Sequence, residues 1–127
     1  MTNYQEYTVR VYEGYTEYLN KEDKLHRLDG PAVEHSNGDK WWYVDGKLHR
    51  LDGPAIEYSG GAKYWYVEGK RHRLDGPAIE YSDGAKYWYV EGKKLTEQQF
   101  KALTSKPTCS GKIVEIDGIK YQLKEVK

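Results

Sequence analysis

The sequence is short of the residues from which ordinary cores and cross-links are made. A single cysteine, Cys109, excludes an internal disulfide and a cysteine-built zinc site and agrees with a reducing compartment. Leu, Ile, Val and Phe together number 23 of 127 residues, and only one of them is Phe. No apolar run reaches the roughly 18 residues of a membrane span. Met1-Thr2-Asn3-Tyr4-Gln5-Glu6 lacks the basic start and apolar stretch of a secretion signal, so a cytoplasmic protein with no membrane contact is expected. Charge of one sign is missing too. Lys and Arg number 20 and Asp and Glu 20, which argues against a binder of duplex nucleic acid and against a polybasic membrane-surface protein. A chain of 127 residues has no room for a large multidomain enzyme.

Aromatic residues stand where the aliphatic ones are missing: 13 Tyr and 4 Trp beside the single Phe. A strongly charged chain with so few aliphatic residues would be disordered, but this one is neutral. Each aromatic ring can bury roughly 150–250 Å² while its polar tip stays near water, so the expected core is thin, flat and aromatic.

The arrangement comes from a repeat. Residues 24–46, 47–69 and 70–92 are three contiguous copies of 23 residues. Copies two and three agree at 21 positions, differing at Leu48/Arg71 and Gly60/Asp83, and copies one and two agree at 17. Within a copy, Pro54-Ala55-Ile56-Glu57-Tyr58 reads as a strand, Ser59-Gly60-Gly61 as a turn and Lys63-Tyr64-Trp65-Tyr66-Val67 as a second strand. Asn37-Gly38 and Asp83-Gly84 in the equivalent turns suit the positive φ of tight hairpins, and Glu68-Gly69 turns the chain again. Lys47 to Pro54 would join one hairpin to the next, with Gly53 in a left-handed conformation and Pro54 opening the strand.

One hairpin cannot bury its own apolar side, so the expected fold is all-β, an elongated antiparallel solenoid of stacked hairpins with copies about 10 Å apart. Alternation puts Trp65 and Val67 on one side of the second strand and Tyr64, Tyr66 and Glu68 on the other. In the first strand Ile56 and Tyr58 oppose Ala55 and Glu57. One side would carry a ladder of Trp42, Trp65 and Trp88, the other Tyr43, Tyr66 and Tyr89 partly open to solvent.

The flanks read as caps. Residues 1–23, with a net charge of −3, resemble a degenerate opening unit with a strand at Thr8–Tyr12, Tyr12 sharing the column of His35, Tyr58 and Tyr81. Residues 93–127 carry +4. There Thr96 can N-cap a short helix over about 96–104, with Phe100 and Leu103 as its stripe, covering the last sheet edge. After the Ser105-Lys106-Pro107 linker, Asp117-Gly118 marks a hairpin over about 112–124.

Chemistry would have to come from His-Arg-Leu-Asp-Gly-Pro-Ala, which recurs at His26, His49 and His72. A histidine near an aspartate can be an oriented base, but no nucleophile accompanies it and three copies argue against a unique centre. No catalytic residue is assigned, and a non-enzyme is expected. The histidine column, at about 10 Å per copy, cannot share a zinc ion whose ligands sit ~2.1 Å away, so no metal is expected. His35 stands in a tyrosine column and reads as a surface or packing residue. Glycines fall in hairpin turns rather than before a helix, so no phosphate loop and no cofactor are implied.

Two readings of the motif remain. In one, Asp29, Asp52 and Asp75 hold backbone N–H groups of their turns, and Arg27, Arg50 and Arg73 bridge neighbouring copies through Glu34, Glu57 and Glu80. In the other, Arg27, Arg50 and Arg73, with His49, His72, Tyr43, Tyr66, Tyr89 and the central Trp65, offer guanidinium forks and stacking planes to a ligand bearing phosphate or a nucleobase. Net charge over residues 24–92 is −1, so no basic stripe is present, although single strands could still stack on the rings.

Gly46-Lys47-Leu48-His49 and Gly69-Lys70-Arg71-His72 at this period resemble the MORN repeat family. His49-Arg50-Leu51-Asp52-Gly53 and Tyr64-Trp65-Tyr66-Val67 replace the usual His-Gly-x-Gly and Tyr-x-Gly-x-Trp, which marks a divergent subtype. The whole His-Arg-Leu-Asp-Gly-Pro-Ala unit, closing on Gly92-Lys93-Lys94-Leu95-Thr96-Glu97-Gln98-Gln99-Phe100, looks like repeat proteins encoded as accessory genes by tailed bacteriophages. That resemblance implies a non-catalytic inhibitor of bacterial antiviral defence in the host cytoplasm, binding a host immune protein or sequestering a small nucleotide-like signal. The alternative is a structural spacer whose acidic start and basic tail join other subunits, which leaves self-association open.

Overall fold

The computed structural model describes residues 6–104, 113–116 and 119–122. Cys109, the Pro107 linker and the Asp117-Gly118 turn lie outside them. The chain forms two compact units, Met1–Lys94 and Leu95–Lys127. Among the described residues the regular structure is mostly β-strand, the larger part of it in one antiparallel sheet as the repeat predicts, with a short helix near the C-terminal end.

The strands are short because each copy bends twice. In order they are β1 (Thr8–Tyr12), β2 (Tyr15–Leu19), β3 (Val33–His35), β4 (Lys40–Trp41), β5 (Tyr43–Val44), β6 (Lys47–Leu48), β7 (Ile56–Glu57) and β8 (Lys63–Tyr64). β9 (Tyr66–Val67), β10 (Lys70–Arg71), β11 (Ile79–Glu80), β12 (Lys86–Val90) and β13 (Lys93–Leu95) follow. Nine of these make one sheet in the order β1-β2-β3-β4-β7-β8-β11-β12-β13, and the pairs from β1 to β12 are antiparallel. β5 pairs only with β6 and β9 only with β10, as separate hairpins.

This corrects the single-hairpin repeat. The expected second strand breaks at Trp42 and Trp65 in copies one and two, and runs through unbroken only in copy three, as β12. Trp42 and Trp65 leave the strand to give their N–H groups to the Ala55 and Ala78 carbonyls of the following copy, at 2.7 Å each. The expected connector from Lys47 begins as a strand, so a second hairpin, β5–β6 or β9–β10, spans each junction between copies.

The two turns are chemically different. At the first, the Gly38 N–H donates to the His35 carbonyl and the His35 N–H to that of Asp39, a three-residue loop closed by Gly38 at φ 103°. Only the glycine is left-handed there, so Asn37-Gly38 is not a two-residue mirror-image turn. That turn occurs at the second hairpin, where Glu68 (52°) and Gly69 (80°) both have positive φ and Val67 faces Lys70.

The opening unit repeats this plan with one residue fewer in its first turn, where Tyr12 faces Tyr15 directly. The missing residue shifts the later columns by one, so Tyr18 takes the place of Trp42. Its N–H reaches the Ala32 carbonyl at 2.7 Å, as Trp42 reaches Ala55. The core is correspondingly thin: Ala32, Ala55 and Ala78 are wholly buried, with Leu19, Val33, Ile56, Ile79 and Val90.

In the second unit α1 (Glu97–Thr104) starts from a reciprocal cap. Thr96 Oγ1 accepts the Gln99 N–H at 3.1 Å and Gln99 Oε1 accepts the Thr96 N–H at 2.9 Å. Phe100 and Leu103 are its buried residues. β14 (Ile113–Ile116) and β15 (Ile119–Gln122) form an antiparallel hairpin.

Candidate functional site

The nine residues proposed from sequence separate into two places. Arg27, Arg50, Arg73, His49, His72 and Trp65 line two repeated grooves between successive Arg-Leu-Asp-Gly loops, of about 600 and 480 Å³. Tyr43, Tyr66 and Tyr89 do not line them; their neighbours include other tyrosines, Trp41 and Arg71.

In the grooves the arginines serve their own chain. Arg50 Nε donates to Asp52 Oδ1 at 2.9 Å, and Nη1 donates to the Pro54 carbonyl at 3.1 Å and to Glu57 Oε2 at 3.0 Å. Arg73 repeats this with Asp75, Pro77 and Glu80, and Arg27 with Asp29 and Pro31, Glu34 standing 3.7 Å away. These carboxylates belong to the same copy, which corrects the expected bridge to a neighbour. The arginine side chains link copies by stacking: the guanidinium carbons of Arg50 and Arg73 stand 3.9 and 3.8 Å from the Trp42 and Trp65 ring centres of the preceding copy. Arg27 stands 4.0 Å over Tyr18 in the same way.

One expectation about this motif is refined and another changes. Asp52 mainly holds the arginine, which is the first cause lowering its carboxyl below the ordinary range, and a bond from its own backbone N–H adds a smaller lowering. Gly53 is not left-handed; a Cβ there would lie 2.9 Å from Arg50 Cζ, so glycine is needed for the guanidinium to pack against the loop.

The histidines are turn fasteners. Nδ1 of His26, His49 and His72 accepts the backbone N–H of Asp45, Glu68 and Glu91 at 3.0 Å each, the first residue of each mirror-image turn. That geometry needs Nδ1 unprotonated, and burial lowers the His72 pKa from its ordinary 6.5 against the opposing pull of Glu91. Among the described residues no cluster of His, Cys, Asp and Glu is placed to hold a metal ion. No helix there is long and apolar enough to cross a membrane.

Sequence reading missed what the groove rims and the other side of the sheet present. Leu28, Leu51 and Leu74, one per loop, are 57, 80 and 42% exposed. On the sheet, cross-strand partners share a side, so Ile56 facing both Trp41 and Tyr64 puts these three together. The rings form a continuous row: Tyr12, Tyr15, His35, Trp41, Tyr58, Tyr64, Tyr81 and Tyr87, with successive centroids 4.6 to 6.3 Å apart. From Trp41 onward the contacts are edge-to-face. Tyr12, Tyr81 and Tyr87 are exposed and the others half-buried.

The row has its own electrostatics. A hydrogen bond with Tyr81, then burial, pushes the Tyr64 hydroxyl up to about 12. Burial raises Tyr43 and Tyr58 as well. The sequence signal for the row was the period-two placement of Tyr58 and Tyr64 in adjoining strands, legible only once the register is known. No family model, curated protein or solved structure matches this chain.

Proposed function

We propose that this chain is a non-catalytic binding protein whose aromatic row captures a protein partner. Following the tailed-phage accessory proteins that its repeat resembles, the partner is a component of a bacterial antiviral defence, which the chain inhibits. The observation that carries the reading is the unbroken run of eight rings along one side of the sheet. Tyr and Trp are the residues enriched at protein interfaces, offering wide contact area at little cost in side-chain entropy. Small ligands are instead held in enclosing pockets with a few unspent polar groups. The groove arginines commit Nε and Nη1 to Asp52, Pro54, Glu57 and their counterparts, which weighs against a nucleotide-like ligand there.

Native mass spectrometry of the tagged chain recovered from bacteria carrying a single defined defence system tests this. Gain of the mass of one protein of that system is expected, with restored phage plating. A Tyr81→Ser/Tyr87→Ser variant, altered only at exposed ring positions, should lose both while keeping its dichroism spectrum. A gain of a few hundred daltons would overturn the protein-partner reading in favour of a sequestered signal.

A further inference from the structure

Beside the aromatic row lies one of the two positions at which copies two and three differ. Copy two has Leu48 where copy three has Arg71. Arg71 faces Tyr66 across the β9–β10 hairpin, and its guanidinium carbon is 5.2 Å from the Tyr89 ring centre and 6.0 Å from that of Tyr66. Both tyrosine hydroxyls bond to it. Burial opposes its charge, but these hydroxyls outweigh burial and raise its pKa above the ordinary arginine value, so the cation is permanent.

What Arg71 does not have sets it apart. Arg10, Arg27, Arg50 and Arg73 each have at least one carboxylate within 3.5 Å. Arg71 has none among the described residues, and its Nε is buried without a hydrogen-bond partner. A half-buried guanidinium with an idle donor costs the free protein stability, and Leu48 shows that the hairpin does not require it. Each flanking hydroxyl, after accepting from Arg71, still has a proton of its own to donate.

We infer that Arg71, flanked by Tyr66 and Tyr89, is a binding site for a single carboxylate, presented by an acidic side chain of the protein partner. A planar guanidinium with no carboxylate of its own matches a carboxylate in shape, and one positive charge matches it in magnitude. A phosphate dianion is ordinarily met by several arginines or by a helix N-terminus, and neither accompanies Arg71 here. The site rests on the protein-partner reading above but can be tested without the partner.

The test is a titration of the isotope-labelled protein with N-acetylglutamate N-methylamide, following the side-chain Nε–H signals of the arginines by NMR, and a parallel titration with AMP. The expected result is a saturable shift of the Arg71 signal while those of Arg50 and Arg73 stay in place. Arg71→Leu copies the residue of copy two, so it should fold with an undiminished denaturation midpoint and abolish the carboxylate response at Tyr66 and Tyr89. Arg71→Lys keeps the charge but loses the fork and should weaken binding by about fivefold or more. Absence of a saturable shift, an equal response at Tyr66 and Tyr89 in Arg71→Leu, or tighter binding of AMP would overturn the inference. A successful titration without any captured partner would leave the site standing and sink the functional reading. A captured partner whose affinity is unchanged by Arg71→Leu would do the reverse.

Discussion

Arg50 and Asp52 form the shortest ion pair of the middle copy, at 2.9 Å, yet the two residues are not equivalent. The Asp52 side chain is 87% exposed and the Arg50 side chain 21%. Water screens the aspartate, so its substitution by Asn should move the denaturation midpoint little. Arg50 also satisfies the Pro54 carbonyl, meets Glu57 and covers the Trp42 ring. Arg50→Lys retains the charge but loses the planar fork and the stack, and should cost about 1–3 kcal/mol in urea denaturation. Equal effects from the two substitutions would show that the visible ion pair, rather than the stack and the carbonyl bond, carries the stability. His72 adds a pH dependence whose sign follows from its environment. Its folded pKa lies below the 6.5 of the unfolded chain, so between the two values the unfolded chain binds more protons. The contribution is therefore complete above pH 6.5 and is lost as pH falls through that window, with a slope of at most about 1.4 kcal/mol per pH unit. Glu91 Oε1, 3.9 Å from Nδ1 and 3.9 Å from Lys70 through its other oxygen, softens the loss without reversing it. His72→Asn offers an acceptor in place of Nδ1 and should flatten midpoint against pH between 7 and about 5. An unchanged profile would place the titrating group elsewhere.

Among the elements, the β5–β6 and β9–β10 hairpins depend most on their turns, since their strands are two residues long. Glu68 and Gly69 both occupy the left-handed region, and a Cβ on Gly69 would touch only Lys47 side-chain atoms at ordinary distances of 3.8 Å and beyond. Gly69→Ala should therefore cost only the conformational penalty, about 1–2 kcal/mol, and Glu68→Asn should raise the midpoint because Asn tolerates that region better. If Gly69→Ala is neutral, the hairpin is not part of the cooperative unit. This hairpin is also where reading by sequence stopped short. The period, the first hairpin and the Thr96 cap were legible because each leaves a local signature: a fixed interval, β-formers around a glycine turn, a threonine three residues before a glutamine. Two-residue strands leave no alternation to read. Tyr64-Trp65-Tyr66 looks like continuous strand because the break at Trp65 is set by the Ala78 carbonyl of the next copy, a partner 13 residues away. The site was legible as residue types but not as an arrangement, since the bonds of Arg50 and Arg73 to the Pro54 and Pro77 carbonyls leave no local sequence signature. Arg71 was visible only as a mismatch between two copies.

Across the whole repeat the same few contacts recur at each junction: a Trp N–H to an Ala carbonyl, an arginine over the preceding ring, and a shared strand pair in the sheet. Stability in such an array is close to a sum of units and nearest-neighbour interfaces. Deleting residues 47–69 would join Gly46 to Lys70, the same Gly-Lys junction that the chain already has at Gly46-Lys47 and Gly69-Lys70. Arg73 would then meet Trp42 in place of Arg50, Ala78 would accept from Trp42 in place of Ala55, and Ile79 would face Trp41. No new pairing is needed. The shortened chain should fold with the same shape of dichroism spectrum, a lower urea midpoint and a smaller m-value, because it exposes less surface on unfolding. Arg71 would keep Tyr89 and exchange Tyr66 for Tyr43, so the carboxylate response should survive, whereas the aromatic row would lose Tyr58 and Tyr64. A binding partner that needs the length of the row would be lost from this variant, and one held by the end of the row and Arg71 would remain. A broad, non-cooperative transition would instead show that the copies are not interchangeable and that the order of the three is itself required for the fold.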